Sequence, residues 1–341
     1  MATMKQIARL AGVSRGTVDR VLNKRGIVKE ETAQKVLEIA KSLNYTPSKA
    51  ARALATLKKE LKLAYIMPNP QHNPFFLQVR EGVDAKACDL LEYGVTVEVL
   101  YSDFQQQDSQ LQLLDQAVAS GASGIVIAGF DRADTAVKLL QISSSGIPVV
   151  TANTDIADCG RIAYVGSDAY KAGQTAAGIC RMIAGADSRV GIVTGSRNIQ
   201  CHTERIRGFS EHLRRHAPDV QIVEIVENMD DDFESFSVTK DLLTRNPQID
   251  LLFFSGAGVY GACRAVEQCR RDQMPKIICY DCTRQTQEML ERGSIHVAIC
   301  QQPDIQGAKP LDILFNTIAL DSPPEQEHFF TKNEILIKES L

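Results

Sequence analysis

Two sets of residues have types and spacings that could do chemistry. The first lies near the N-terminus: Arg15, Gly16, Asp19 and Arg20, with Thr3, Ser14, Thr17, Asn23 and Thr32 around them. An arginine donates two parallel hydrogen bonds to guanine O6 and N7, so Arg15 and Arg20 are candidate base readers. The short polar side chains of the threonines, Ser14 and Asn23 suit phosphate oxygens. The second set is scattered along the rest of the chain as Asn73-Pro74-Phe75-Phe76, Asn153-Thr154, Arg205, Ser255-Gly256, Asp281 and Gln301. Aromatic rings cover apolar C–H faces, while amide, carboxylate and guanidinium groups pair with vicinal hydroxyls. That mixture suits a polyhydroxylated ligand, provided the fold brings the residues together.

The elements that must position the first set are legible. Ile7, Ala8 and Ala11 share a helix face, Gly12 supplies a turn, and Val13, Val18 and Val21 are the apolar positions of a second helix. Ser14 stands where an N-cap belongs, before a helix starting at Arg15. Ala8, Gly12 and Val18 fall at relative positions 5, 9 and 15 of a twenty-residue window, the pattern of a helix-turn-helix. The valines then face inward and Arg15, Gly16, Asp19 and Arg20 outward, where base edges lie in a major groove. A third helix over Glu30–Leu43 buries Val36, Leu37, Ile39, Ala40 and Leu43. Charge agrees with this reading. The whole chain of 341 residues carries −4, but residues 1–60 carry +8 and the remainder −12. A basic head on an acidic body is the electrostatic footprint of a nucleic-acid-binding module joined to another domain.

From Leu61 onward, short apolar runs alternate with amphipathic stretches. Strands are expected at Leu61–Met67, Val95–Tyr101, Gly124–Ala128, Pro148–Ala152, Ile162–Val165, Val190–Thr194, Val220–Val226, Leu251–Phe254, Lys276–Tyr280 and Val297–Cys300. Helices fill most gaps, for example Phe76–Leu91, Ser109–Ala119, Ala169–Ile183 and Tyr260–Arg271. Such alternation gives parallel sheets covered on both faces, and ten strands exceed one comfortable core, so two α/β lobes are expected. Ligands of such sheets bind beyond the carboxyl ends of the strands, which is where the second set of residues falls.

Several classes are excluded. No Gly-rich dinucleotide signature follows the first strand, which ends in Met-Pro-Asn-Pro, no P-loop signature occurs, and from Leu61 onward no serine stands in a GxSxG elbow. The six histidines show no metal-ligand spacing, and nine cysteines, including Cys279-Tyr-Asp-Cys282, read as packed free thiols rather than a metal or redox site. No cofactor and no metal are expected. Arg197 and His202, beside the Gly195-Ser196 turn, read as surface-loop residues in preference to a phosphate site. No apolar stretch approaches the length of a membrane span and the first residues lack a secretory apolar region, so a cytoplasmic protein is expected. A binding protein therefore fits better than an enzyme; the alternative is a cytoplasmic sugar-binding protein or sugar-modifying enzyme with a fused DNA-binding head.

Residues 3–56, through TMKQIARLAGVSRGTVDRVLN and LNYTPSKAARALA, resemble the DNA-binding region of the lac repressor (LacI/GalR) family. The resemblance implies a lambda-repressor-like helix-turn-helix head over 1–47 and a hinge and linker over 48–60. Ser48–Ala55 would form a helix on the operator beside its copy in a homodimer, with Ala51 at the close approach and Leu54 wedged into the minor groove. A pseudo-palindromic double-stranded operator follows from two-fold symmetry. Asp19 stands where the family usually has serine.

Residues 61–341 resemble the type 1 periplasmic sugar-binding proteins, in their ribose-binding branch, through NPFFLQVREGVDAKA, DRADTAVKLLQISSSGIPVVTAN, ERIRGF and QQPDIQGAK. The resemblance places Asn73, Phe75, Phe76, Asn153, Thr154, Arg205, Ser255, Asp281 and Gln301 around a small carbohydrate or polyol. It also implies chain crossings near Val165, Gln301 and Phe330, giving a first lobe of about 61–164 and 302–330 and a second of about 165–301 and 331–341. Asn153-Thr154 replaces an Asp-Arg pair and Ser255-Gly256 an Asn-Asp pair. These changes remove charge and volume, so the expected ligand is larger than ribose: a hexose, a cyclitol or a substituted sugar.

Overall fold

The computed structural model describes residues 3–22, 27–43, 45, 60–103, 109–269 and 274–341. The chain divides into two compact units, Met1–Ala55 and Thr56–Leu341. Asn23, Ala51, Leu54 and the expected hinge helix lie outside the described residues.

In the first unit, α1 (Met4–Ala11) opens with a reciprocal cap. The Thr3 hydroxyl accepts from the Gln6 amide at 3.3 Å and the Gln6 side chain accepts from the Thr3 amide at 2.9 Å. Gly12 follows in the left-handed conformation, φ 73°, which other residues adopt at a cost. Ser14 caps α2 (Arg15–Leu22) by accepting from the Thr17 amide at 3.1 Å. With α3 (Glu30–Ser42), these helices close over Ile7, Ala8, Ala11, Val18, Val36 and Ala40. Ile39 and Leu43 pack at the edge of that core, but Leu37, expected inside, is 51% exposed. Val36 and Ala40, four apart, set the buried stripe, and one residue further rotates about 100° out of it.

The second unit contains two six-stranded sheets. The first is built from β1 (Leu61–Pro68), β2 (Val95–Ser102), β3 (Gly124–Ile127), β4 (Val149–Ala152), β5 (Ala163–Ser167) and a late strand, β11 (His328–Thr331). Its order is β11-β5-β4-β3-β1-β2 and every pair is parallel. The second comprises β6 (Arg189–Thr194), β7 (Gln221–Glu227), β8 (Leu251–Phe254), β9 (Lys276–Tyr280), β10 (Val297–Cys300) and β12 (Glu334–Leu336), in the order β12-β10-β9-β8-β6-β7. Only β12 runs antiparallel, against β10. The two late strands, short, mixed in polarity and half exposed, escape a search for apolar runs.

Helices cover both sheets: α4 (Phe75–Leu91), α5 (Ser109–Ala119), α6 (Ala133–Ser144), α7 (Ala169–Ile183), α8 (Gln200–His216), α9 (Asp232–Arg245), α10 (Val259–Gln268), α11 (Arg284–Glu291) and α12 (Pro303–Leu320). Val165 and Phe330 lie within strands of the first sheet; the chain leaves that sheet after Ser167 and after Thr331, and returns to it beyond Gln301. Three crossings therefore join the lobes. Two helix pairs carry the site: α4 packs on α12, and α7 on α8. Gly173 makes the second pairing possible, since a Cβ there would overlap the carbonyl of Arg205 on the facing helix.

Candidate functional site

The strand ends of the two lobes face each other across a cleft that opens to solvent and has about 480 Å³ of empty space between its walls. Eight of the nine candidate residues line it: Asn73, Phe75, Phe76 and Asn153-Thr154 from the first lobe or its edge, and Arg205, Asp281 and Gln301 from the second. Ser255 does not. Its hydroxyl donates to the Thr194 hydroxyl at 2.7 Å and its carbonyl accepts from Arg205, so Gly256 and Ala257 form the wall there instead.

Phe75 and Phe76 stand at the start of α4, edge to face with centroids 5.2 Å apart, and both are buried. Opposite them lies Arg205, 3% exposed. Its Nη1 donates to the Ser255 carbonyl at 2.8 Å, its Nη2 to Gln301 Oε1 at 2.6 Å, and its guanidinium sits 4.0 Å from the centroid of the Tyr280 ring. Gln301 passes the constraint on, donating from Nε2 to Asp281 Oδ1 at 2.7 Å. Arg205 Nε, buried, has no hydrogen-bond partner among the described residues. Burial raises the Asp281 carboxyl to about 6, against the opposing pull of Arg205 and Gln301.

Asn153 (φ 62°), Asp230 (φ 57°) and Asp281 (φ 67°) all hold left-handed backbone at strand ends. Asn and Asp tolerate that region better than other side chains, and such strain collects at functional sites. Asp230 is fixed by accepting from the Ala257 amide at 2.8 Å and faces His202, whose Nε2 lies 3.9 Å away. His202 Nδ1 lies against the Ser196 backbone, 3.2 Å from its amide and 3.3 Å from its carbonyl, which holds the ring with Nε2 toward Asp230. Burial lowers the histidine's pKa.

Phe130, His202 and Asp230 therefore belong to the lining, and the sequence reading missed them. Phe130 follows an expected strand end by two residues, a usable signal. Asp230 is hidden in the run Asp230-Asp231-Asp232, which reads as solvated acid. His202 is 5% exposed rather than on a surface loop, while Arg197 turns outward to Glu227 at 3.4 Å. A second chamber of about 410 Å³ adjoins the first, sharing Asn73, Phe75, Asp230 and Asp281 and extending past Asp232 and Tyr260. The lobes touch across the cleft: Thr154 Oγ1 reaches Cys201 Sγ at 3.4 Å, and Gln78 Nε2 donates to the Cys282 carbonyl at 3.0 Å.

On the first unit, Arg15, Gly16 and Arg20 are exposed, Gly16 and Arg20 on the face opposite Val18, with Asp19, Thr17 and Thr32 half-buried. Arg20 Nε donates to its own helix, at the Gly16 carbonyl, 3.2 Å. The Thr3 and Ser14 hydroxyls accept from backbone amides; Thr3 also donates to Gln6 Oε1 at 3.4 Å, and Ser14 shares a hydrogen bond of 3.0 Å with the Thr17 hydroxyl. Among the described residues no cluster of three or more His, Cys, Asp or Glu side chains could hold a metal, and no helix is long and apolar enough to cross a membrane.

A helix-turn-helix head and a two-lobed α/β body with a cleft between its strand ends define a class, the modular DNA-binding regulators built on a periplasmic-binding-protein fold. Residues 3–48 match the bacterial regulatory proteins of the lacI family and residues 63–319 the periplasmic binding protein domain, and the chain belongs to that lacI family. It is 28% identical to the ribose operon repressor of Haemophilus influenzae over 82% of each chain. It is 25% identical to the probable HTH-type transcriptional repressor ExuR of Bacillus subtilis, over all of this chain and 98% of that protein. Among solved structures, GanP, a glucose-galactose binding protein from Geobacillus stearothermophilus, superposes with a TM-score of 0.75 at 27% identity, covering 83% of this chain and 99% of that one.

Proposed function

We propose that this protein is a cytoplasmic, sequence-specific transcriptional repressor, acting as a homodimer, whose affinity for a pseudo-palindromic operator is set by a small carbohydrate or polyol held between the lobes. The observation that carries the reading is the lining of the cleft. Phe75, Phe76 and Phe130 offer ring surfaces, and Asn153, Asp230, Arg205 and Asp281 offer fixed donors and acceptors around them. Rings cover the C–H faces of a sugar, and the carboxylates accept from its hydroxyls. Asn73, Thr154 and Gln301 complete the contacts. The second chamber favours a ligand larger than a pentose: a hexose, a cyclitol or a substituted sugar.

Arg15 and Arg20 read base edges, while Thr3, Ser14, Thr17, Asn23 and Thr32 contact phosphates. Ligand binding acts on the operator only through differential affinity for the two arrangements of the body, since equal affinity would shift nothing. Thermal-shift screening of the full chain against sugars, polyols and their phosphates is the deciding experiment. A hit must also change binding to operator DNA selected from a random library. If no such compound raises the midpoint, or if hits leave DNA binding unchanged, the proposal fails. Tight ribose binding in calorimetry would rule out the larger ligand.

A further inference from the structure

The sequence motif Cys279-x-x-Cys282 pairs two cysteines that the fold separates. Cys279 sits one residue before the end of β9, fully buried in the core of the second lobe and aligned with Ala298. Cys282 lies just past the end of that strand, and its thiol meets a different one, Cys300 at the end of the neighbouring β10. The register explains the meeting: Ile299 aligns with Tyr280 and accepts from the Asp281 amide at 3.0 Å, which brings Cys300 alongside the Asp281-Cys282 turn. We propose that Cys282 and Cys300 form a reversible disulfide site, made by hydrogen peroxide.

The surroundings favour Cys282 as the attacking sulfur. The Cys300 thiol and the Gln287 side chain beside it hold the Cys282 thiol below the usual cysteine range in spite of its burial, while Cys300 is raised. The thiolate, rather than the thiol, is the nucleophile. Cys282 Sγ attacks one peroxide oxygen, the O–O bond breaks, and the departing hydroxide takes a proton to become water, leaving a sulfenic acid. Cys300 Sγ then displaces the sulfenic oxygen, which leaves with the Cys300 proton as a second water. Two thiols are oxidised and one peroxide is reduced, and a dithiol reductant reverses the change.

The position gives the site its interest. Asp281 precedes Cys282, Gln301 follows Cys300, and these two pocket residues are already hydrogen-bonded to each other. The Cys282 carbonyl also receives Gln78 from the other lobe. The cross-link would tie together the two strand ends that present Asp281 and Gln301. Three other cysteines of this lobe's core have no such help: burial raises Cys180 and Cys263 to about 12 and lifts Cys279 well above its ordinary value.

The test uses the full-length protein treated with a small molar excess of hydrogen peroxide, then alkylated and digested without reductant. The expected result is a peptide pair joined through Cys282 and Cys300, lighter by two hydrogens than the reduced pair, and lost on adding dithiothreitol. C300S should abolish the pair and leave Cys282 as a sulfenic acid trapped by dimedone; C279S should leave the pair intact. Cross-linking through Cys279, or dimedone labelling at other cysteines with Cys282 and Cys300 both still alkylated, would overturn the proposal. Circular dichroism of both variants, matched to the parent, guards against misfolding.

Discussion

Arg205 and Gln301 lie on different elements of the second lobe, α8 and the end of β10, and are joined by one hydrogen bond of 2.6 Å. Through it the only guanidinium that lines the cleft among the described residues is tied to Asp281, so three strand ends and one helix share a single geometry. Lysine keeps the charge at this position and loses the fork, because one ammonium cannot serve Ser255, Gln301 and the Tyr280 face together. Arg205→Lys should weaken effector binding by at least about tenfold, or roughly 1.4 kcal/mol. Calorimetry with the sugar identified by screening reads this directly, and an unchanged affinity would remove Arg205 from the binding machinery.

Asp281 predicts a pH dependence of stability. Its folded pKa, near 6, stands above the value of about 4 expected in an unfolded chain. The folded state therefore holds that proton more tightly, so the contribution is present below about pH 4 and is lost as pH rises through about 6. His202 works the other way: burial lowers it, and its contribution is lost as pH falls through its folded pKa. Comparison with Asp281→Asn isolates the carboxyl. On acidification from pH 7.5 to 5.0, the parent should gain about 1–3 kcal/mol relative to that variant in denaturant melts. A constant difference between the two proteins across this range would show that Asp281 does not titrate there.

Two glycines of α7 give opposite outcomes. At Gly173 an added methyl overlaps the Arg205 carbonyl, whereas at Gly178 nothing lies within 4 Å. Gly173→Ala should cost about 1–3 kcal/mol by pushing α8 outward, and should weaken effector binding with it. Gly178→Ala should stabilise by about 0.5–1 kcal/mol, because it removes helical glycine without a clash. Thermal melts of the two variants side by side distinguish a packing constraint from a general preference.

On the head, Arg15→Ala should cost about 1–3 kcal/mol of operator binding and relax one base position in each half-site. Loss of a phosphate contact, by contrast, weakens all sequences alike. Selection from a random library with the parent and the variant separates these results, and an unaltered base preference would reassign Arg15.

The sequence exposed most of this architecture because parallel strands buried on both faces are short apolar runs, as Leu251–Phe254 is. It was less informative where burial is partial. The strands His328–Thr331 and Glu334–Leu336 sit at sheet edges and mix polar with apolar residues, so their periodicity is weak. In the site, the strand-end rule located loops correctly but not the direction of every side chain. Ser255 is the example: one residue beyond β8, it points to Thr194, and the open space belongs to Gly256. Asp230 needed the fold, because only the left-handed turn at Met229-Asp230 separates it from Asp231, which caps the next helix, and from Asp232.

The crossings between lobes have a consequence during synthesis. The first lobe opens at Leu61, yet its covering helix Pro303–Leu320 and its edge strand His328–Thr331 arrive hundreds of residues later. Most of the second lobe, from Ala169 to Cys300, is one uninterrupted stretch. Domains fold as units while the ribosome delivers them. The lobe started first is thus completed last, and the helix-turn-helix emerges as a finished module well before the cleft that would govern it exists.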